Sequence, residues 1–325
     1  MKTRLRVRAR ITWPFVSART LRGAVAAVVA ATMVLAGCGS NSSKRAGDAK
    51  LRIVTSFYPL AYAAERVGGD RVWVTNLTPA GVEPHDLELS SDAVDKVESA
   101  DLVVVMGRNF QPAVEKAASR RKKPSINVLN VLLSDDPSFV GKVGPDQEPG
   151  GLDPHVWLDP TLMVKLVETL RIALTEADPS HESTYRSNAT ALTTDLHTLD
   201  GQFRTGLARC ARTVIVTSHD AFGRMATRYG LRQEAIAGVS PDQEPDAARL
   251  AELAKLVKRE AITTIFFEAL VPKAVAQTVA REAGVKTALL SPIEGLSKTD
   301  IAAGRDYLSV MRTNLAALRA ALDCQ

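Results

Sequence analysis

The sequence predicts an α/β fold of two lobes, each a mostly parallel four-stranded sheet flanked by helices, joined by one long rigid helix. Three observations carry this expectation. Short β-rich runs alternate with helical patterns in both the early and late parts of the chain. Between them, residues 132–212 hold no strand signal. The 325 residues are 46% apolar and 24% charged, enough for two domains with real cores. That balance excludes a disordered chain and a multi-span membrane protein.

Taken in order, the early strands are expected at Leu51–Ser56, Arg71–Asn76, Asp101–Met106 and Ser125–Val131, with helices around 59–67, 91–99 and 111–119. The late strands are expected at Thr213–Thr217, Arg232–Ala237, Ile262–Phe267 and Val285–Leu290. Helices fall between them near 220–229, 245–259 and 272–283, and a last one runs over 301–322. Continuous apolar strands alternating with helices imply buried parallel sheets with right-handed crossovers. In the middle, 161–177 reads as one helix ended by Asp178-Pro179, and 180–208 as a longer one. A helix of that length spans about 40 Å and suits a rod between lobes. Residues 135–153, rich in Pro, Gly and Asp, read as a surface loop. The expected division is 51–178, 179–209 and 210–325 for first lobe, linking helix and second lobe.

The net charge of +5 is misleading. Residues 1–37 hold seven Lys and Arg and no acid, and the remaining 288 residues carry 34 basic against 36 acidic side chains. The basic pI belongs to the N-terminal segment, and nothing points to nucleic acid. An apolar run of 14 residues, Gly23–Ala36, follows the arginines. It is too short for a spanning helix, which takes about 20 residues, and fits the core of a signal peptide, about 7–15 residues. Residues 39–50, polar and small, read as a flexible tether.

Three of the five histidines share a context. His85 follows the second expected strand, His155 lies in the loop region after the fourth, and His219 comes two residues after the fifth. Ligands in open α/β sheets bind beyond the carboxyl ends of the strands. His85 and His155 belong to the first lobe and His219 to the second, so a site using all three lies in the cleft between lobes. Three imidazoles drawn together suit a transition metal, most simply Zn²⁺. Glu268 and Glu294, both at strand ends of the second lobe, are candidates for a fourth ligand, and position alone does not choose between them. Asp159-Pro160 reads as an N-cap followed by proline at the first helical position. His181 and His197 read as solvated residues of the long helix.

The segment Leu35-Ala36-Gly37-Cys38 resembles a bacterial lipobox. The resemblance implies a signal peptide over 1–37, cleavage before Cys38, a lipid on the Cys38 sulfur, and attachment at the outer face of the cytoplasmic membrane. Cys210 and Cys324 then remain, an even number in an oxidising compartment, and are expected to form a disulfide.

The blocks TSFYPLAYAAERVGG (55–69), AGVEPHDLELSSDAVDKVESADLVVVMG (80–107), DPHVWLDP (153–160), TSHDAFGRMATRYGL (217–231) and FFEALVPKAVAQTVAREAGV (266–285) resemble one family. It is the metal-binding solute-binding proteins of ABC importers, the zinc and manganese group known as cluster A-I. The resemblance implies two α/β lobes with one tight metal site buried between them, and His85, His155 and His219 as ligands. Many members place an Asp-Pro-Leu-Gly motif at the fourth position, and this chain has Ser291-Pro292-Ile293-Glu294 instead. That is similar to the Asn-Pro-Leu-Glu version of some zinc binders and implies Glu294 as fourth ligand. Glu268 then orients a ligand histidine; water or Glu268 itself is the alternative fourth ligand. Histidine at the third position favours Zn²⁺, with Mn²⁺ or iron as the alternative cargo. The implied role is a monomeric receptor handing metal to an ABC permease and, through it, an ATPase. A closed site of this kind argues against an enzyme. A surface adhesin and a zinc hydrolase are the readings from other classes.

Overall fold

The computed structural model describes residues 49–85, 87–135, 152–241 and 245–325. The expected signal peptide, Cys38 and most of the tether lie outside the described residues. The first sheet contains β1 (Leu51–Thr55), β2 (Val72–Asn76), β3 (Leu102–Val105) and β4 (Ser125–Asn127), in the order β2-β1-β3-β4 and parallel throughout. The second contains β5 (Val214–Thr217), β6 (Arg232–Ala235), β7 (Thr264–Phe267) and β8 (Lys286–Leu289), in the matching order β6-β5-β7-β8 and again parallel. The expected fold class holds.

The apolar runs of the inner strands serve two faces. In β3, Leu102 and Val104 enter the main core, while Val103 and Val105 face a smaller cluster with Val97, Val114 and Ala117. Those three belong to α2 (Ser91–Ser99) and α3 (Pro112–Ser119). The second sheet repeats the pattern: Ile215 and Phe266 face the main core, and Val214, Val216 and Ile265 pack with residues of α8 (Ala247–Arg259) and α9 (Ala274–Ala283). A sheet buried on both faces needs apolar side chains at consecutive positions, the signal that marked these strands.

The main core runs through both lobes without interruption. Its first-lobe helices are α1 (Tyr58–Gly68), α4 (Val128–Asp135) and α5 (Pro160–Ala177), and α7 (Gly223–Arg228) lies on the second lobe. The long helix is α6 (Glu182–Gly206), 25 residues and about 37 Å. Its first half is fastened to α1: Asn188 Nδ2 donates to Val67 O at 3.0 Å, and Arg66 pairs with Asp195 at 2.8 Å. Its second half meets the other lobe, where Arg228 pairs with Asp200 at 2.9 Å and Phe203 stacks on Tyr229. No described helix is long and apolar enough to cross a membrane.

Several expectations need correction. The fourth strand stops at Asn127, and Val128–Asp135 is helix rather than strand. The run VLNVLL fits either period, and here its apolar face packs into the main core as a helix. The last helix is two: α10 (Lys298–Ala302) and α11 (Tyr307–Leu322). Gly304 takes a φ of 64° between them, and Asp306 caps the second through Ser309 N. The long helix opens with a 3-10 turn, Pro179–His181. His181 is not simply solvated, since its Nδ1 lies 2.7 Å from Asp178 Oδ2. Asp159 does cap α5, accepting from Thr161 N at 2.8 Å. Cys210 and Cys324 are joined by a disulfide, which ties the entry to β5 to the chain's last residues.

Candidate metal centre

The strand ends of both sheets converge on one point. His85 lies on the loop after β2, and His155 immediately precedes the 3-10 turn Val156–Leu158. His219 follows β5 by two residues, and Glu294 follows β8 by five. One ligand-type atom from each of the four lies within 4.8 Å of all the others. Glu294 Oε1 stands 3.3 Å from Nε2 of His85, of His155 and of His219. A tetrahedral ion with bonds of about 2.0–2.1 Å has donor–donor edges of about 3.3–3.4 Å. The three carboxylate–imidazole separations therefore match the edges of a zinc-sized tetrahedron. His155 and His219 are fully buried, Glu294 is 2% exposed, and His85 is the most open at 8%.

Each second nitrogen in the buried pair is committed elsewhere. Asp153 Oδ1 accepts from His155 Nδ1 at 2.8 Å and also from the His155 backbone N–H at 2.9 Å. Glu268 Oε1 accepts from His219 Nδ1 at 2.8 Å and from the His219 backbone N–H at 3.2 Å. With Nδ1 protonated, Nε2 carries the lone pair and faces Glu294. Nε2 of His155 and of His219 is buried without a formed hydrogen bond. Buried polar atoms without a partner are costly, and an ion among these four donors would satisfy them. Around His85 the device is smaller: Glu83 Oε2 accepts from its backbone N–H at 3.0 Å.

Electrostatics follow from this crowding. Burial alone would raise the Glu294 carboxyl, but the charge of His219 and the contacts with His155 and His85 hold it well below the usual carboxylate range. Burial works against a protonated His219, yet the charges of Glu268 and Glu294 outweigh it and raise the ring well above its ordinary value. His155 is raised too, since Asp153 and Glu294 overcome its burial. The four groups thus attract protons as they would attract a cation.

Glu294 is aimed by a constrained turn. Ile293, fully buried, adopts a φ of 58°, a left-handed conformation that β-branched residues avoid. The surroundings hold it there. Asn314 of α11 receives the Ser291 N–H at 2.9 Å and donates to Ser291 O at 2.7 Å. Trp157 Nε1 donates to Pro292 O at 2.6 Å, reaching from one lobe to the other. Tyr307 OH donates to Trp157 O.

The structure brings together His85, His155, His219 and Glu294. It places Glu268 behind His219 rather than among the four converging donors. Sequence reasoning did not find Asp153, Glu83, Asn314 or Trp157. For the first two a signal was available: an acid, a proline and a histidine in series, Glu83-Pro84-His85 and again Asp153-Pro154-His155. No local signal marks Asn314 or Trp157.

The chain matches the family model described as zinc-uptake complex component A, periplasmic, over residues 53–321. It is 40% identical to the zinc-binding lipoprotein AdcA of Streptococcus pneumoniae over 289 residues, which is 87% of this chain and 58% of AdcA. It therefore spans little more than half the length of that relative. It is 34% identical to the high-affinity zinc uptake system protein ZnuA of Bacillus subtilis, covering 91% of this chain and 96% of that protein. Among solved structures, the Zn(II)-bound ZnuA-like domain of AdcA from Streptococcus pneumoniae superposes with a TM-score of 0.70 at 40% identity, covering 84% of this chain and 99% of that domain. The laminin-binding protein Lmb of Streptococcus agalactiae, described as having adhesin and metal-transporting activity, gives a TM-score of 0.74 at 29% identity over 84% of this chain and 99% of that one. The chain belongs to the ZnuA family, the periplasmic component A of zinc-uptake complexes.

Proposed function

We propose that this protein captures one Zn²⁺ outside the cytoplasm through His85, His155, His219 and Glu294, and delivers it to the permease of an ABC importer. One observation carries the reading: Glu294 Oε1 stands at 3.3 Å from all three Nε2 atoms. Three neutral imidazoles and one carboxylate leave the bound ion near +1. Manganese would be better served by more oxygen donors. Four protein donors complete a tetrahedral shell, and a hydrolase needs an open position for water. Glu268 and Asp153 orient their histidines from behind. In this reading residues 1–37 direct export, Cys38 carries the lipid, and lobes 51–178 and 210–325 present the ion together.

The test is a competition titration of the metal-free protein with Zn²⁺ and Mn²⁺, with bound ions counted. One tight zinc and weak manganese binding is expected, with zinc capture lost in Glu294→Ala. Tight manganese binding would change the cargo, and no tight site for either ion would end the proposal.

A further inference from the structure

The first lobe carries a second feature at its other end. Trp73, in the edge strand β2, is 64% exposed, the most exposed large apolar side chain among the described residues. Lys50 places its Nζ 4.4 Å from the centroid of the Trp73 ring. Arg52 is the register partner of Trp73 across β1 and β2, so the two side chains share a face of the sheet. Arg52 donates to Ser99 O at 2.8 Å, and Lys123 donates to the same carbonyl at 3.1 Å. Lys50, Trp73, Arg52 and Lys123 are thus linked through shared contacts into one patch. Its internal acid, Asp101, is paired with Arg52 and Lys123, and exposed Lys122 adjoins it.

Two facts identify an occupant. The strands are parallel, so the patch lies at their amino ends, opposite the loops that carry the metal centre. The chain leaves the lobe at that same edge, through Lys50 into residues 39–49 and Cys38. Eleven residues lie between Cys38 and Lys50, a stretch that cannot reach beyond about 40 Å even fully extended. We propose that the patch around Trp73 is a docking surface for the anionic headgroups of the membrane to which Cys38 attaches the chain. Tryptophan favours the headgroup level of a bilayer, where its ring is half buried and its N–H stays wet. Each basic residue near an anionic surface adds attraction. Three or four cations and one indole are too weak to recruit a free protein. A short tether holds them at an effective concentration in the millimolar range, where such contacts count. In the docked pose the metal centre faces away from the lipid.

The inference rests on the attachment through Cys38 proposed above, and the experiment separates the two. The lipid-anchored chain, from which Trp13 has been removed with residues 1–37, is purified from membranes and reconstituted in vesicles of phosphatidylcholine with or without phosphatidylglycerol. Trp157 is fully buried and gives a constant background, so the variable emission is that of Trp73. With phosphatidylglycerol, bromolipid is expected to quench this emission and iodide is not. Neutralising Lys50 and Lys123 should lower the ratio of docked to free chains about fivefold per residue, and high salt should do the same without any mutation. Trp73→Phe should abolish the signal. Iodide quenching unchanged by vesicles would overturn the proposal, as would equal bromolipid quenching in neutral vesicles. Shielding of Trp73 that grows with protein concentration without vesicles would assign the face to a second copy and overturn it too. Mass spectrometry of the N-terminal peptide reports separately whether Cys38 carries lipid.

Discussion

The two lobes share a strand order but hold their share of the metal centre by different means. In the first, His85 and His155 are each fixed by an acid two residues earlier, Glu83 and Asp153. In the second, His219 is fixed by Glu268, 49 residues away, and the turn before Glu294 by Asn314, 23 residues from Ser291. The first lobe therefore builds its half from loops that carry their own supports close in sequence. The second needs three strand ends and the last helix in place before its donors are aimed.

The largest effect is expected where the lobes meet. Glu294→Ala removes the one donor shared by all three histidines, and zinc affinity should fall by more than about 100-fold, beyond the 10- to 100-fold typical of losing an orienting partner. Competition against a chelator of known affinity reads this directly. The next pair tests the comparison itself. Asp153→Asn and Glu268→Gln should each weaken zinc about 10- to 100-fold by removing the charge behind a histidine. The asymmetry should appear in Asn314→Ala, which loosens Ser291–Glu294 and should cost affinity through the second lobe alone. Equal effects on NMR signals from His155 and His219 would break that distinction.

Acidity should act in the same direction as these losses. Raised His219 and His155 hold protons that zinc must displace, so affinity should fall as pH drops, with the fall already under way above pH 6.5. The metal-free fold should respond oppositely. His219 is raised on folding, so its contribution to stability is full below the unfolded value near 6.5 and fades as pH rises through the folded one. Melting curves with and without zinc across pH would show the two trends diverging. The smallest effect on affinity is expected for Cys210→Ser with Cys324→Ser. Losing a cross-link over 114 residues should cost about 2–5 kcal/mol of stability in denaturant unfolding and leave zinc affinity nearly unchanged.

This division also sets what could be read from the chain. The strands were legible because burial on both faces demands unbroken apolar runs such as LVVV at Leu102–Val105. The three histidines stood out because each sits beyond a strand end, and Glu294 because of the motif around it. The boundary at Asn127 was hidden, since VLNVLL satisfies strand and helix alike. The break between α10 and α11 rests on Gly304 and the Asp306 cap, small signals inside a long amphipathic pattern. Trp157 and Asn314 were out of reach for a different reason. Their partners, Pro292 and Ser291, become neighbours only through tertiary packing.

Trp157 has a consequence for how the ion leaves. Its indole bond to Pro292 and the shared core join the lobes through protein contacts. Prying the lobes apart would break buried contacts on both sides. The most open wall of the chamber is His85, 8% exposed against 2% or less for the other three donors. Departure is therefore expected to need the His85 loop to lift rather than the two halves to part. Its rate should follow hydrogen exchange at residues 80–85 and be indifferent to exchange in the long helix.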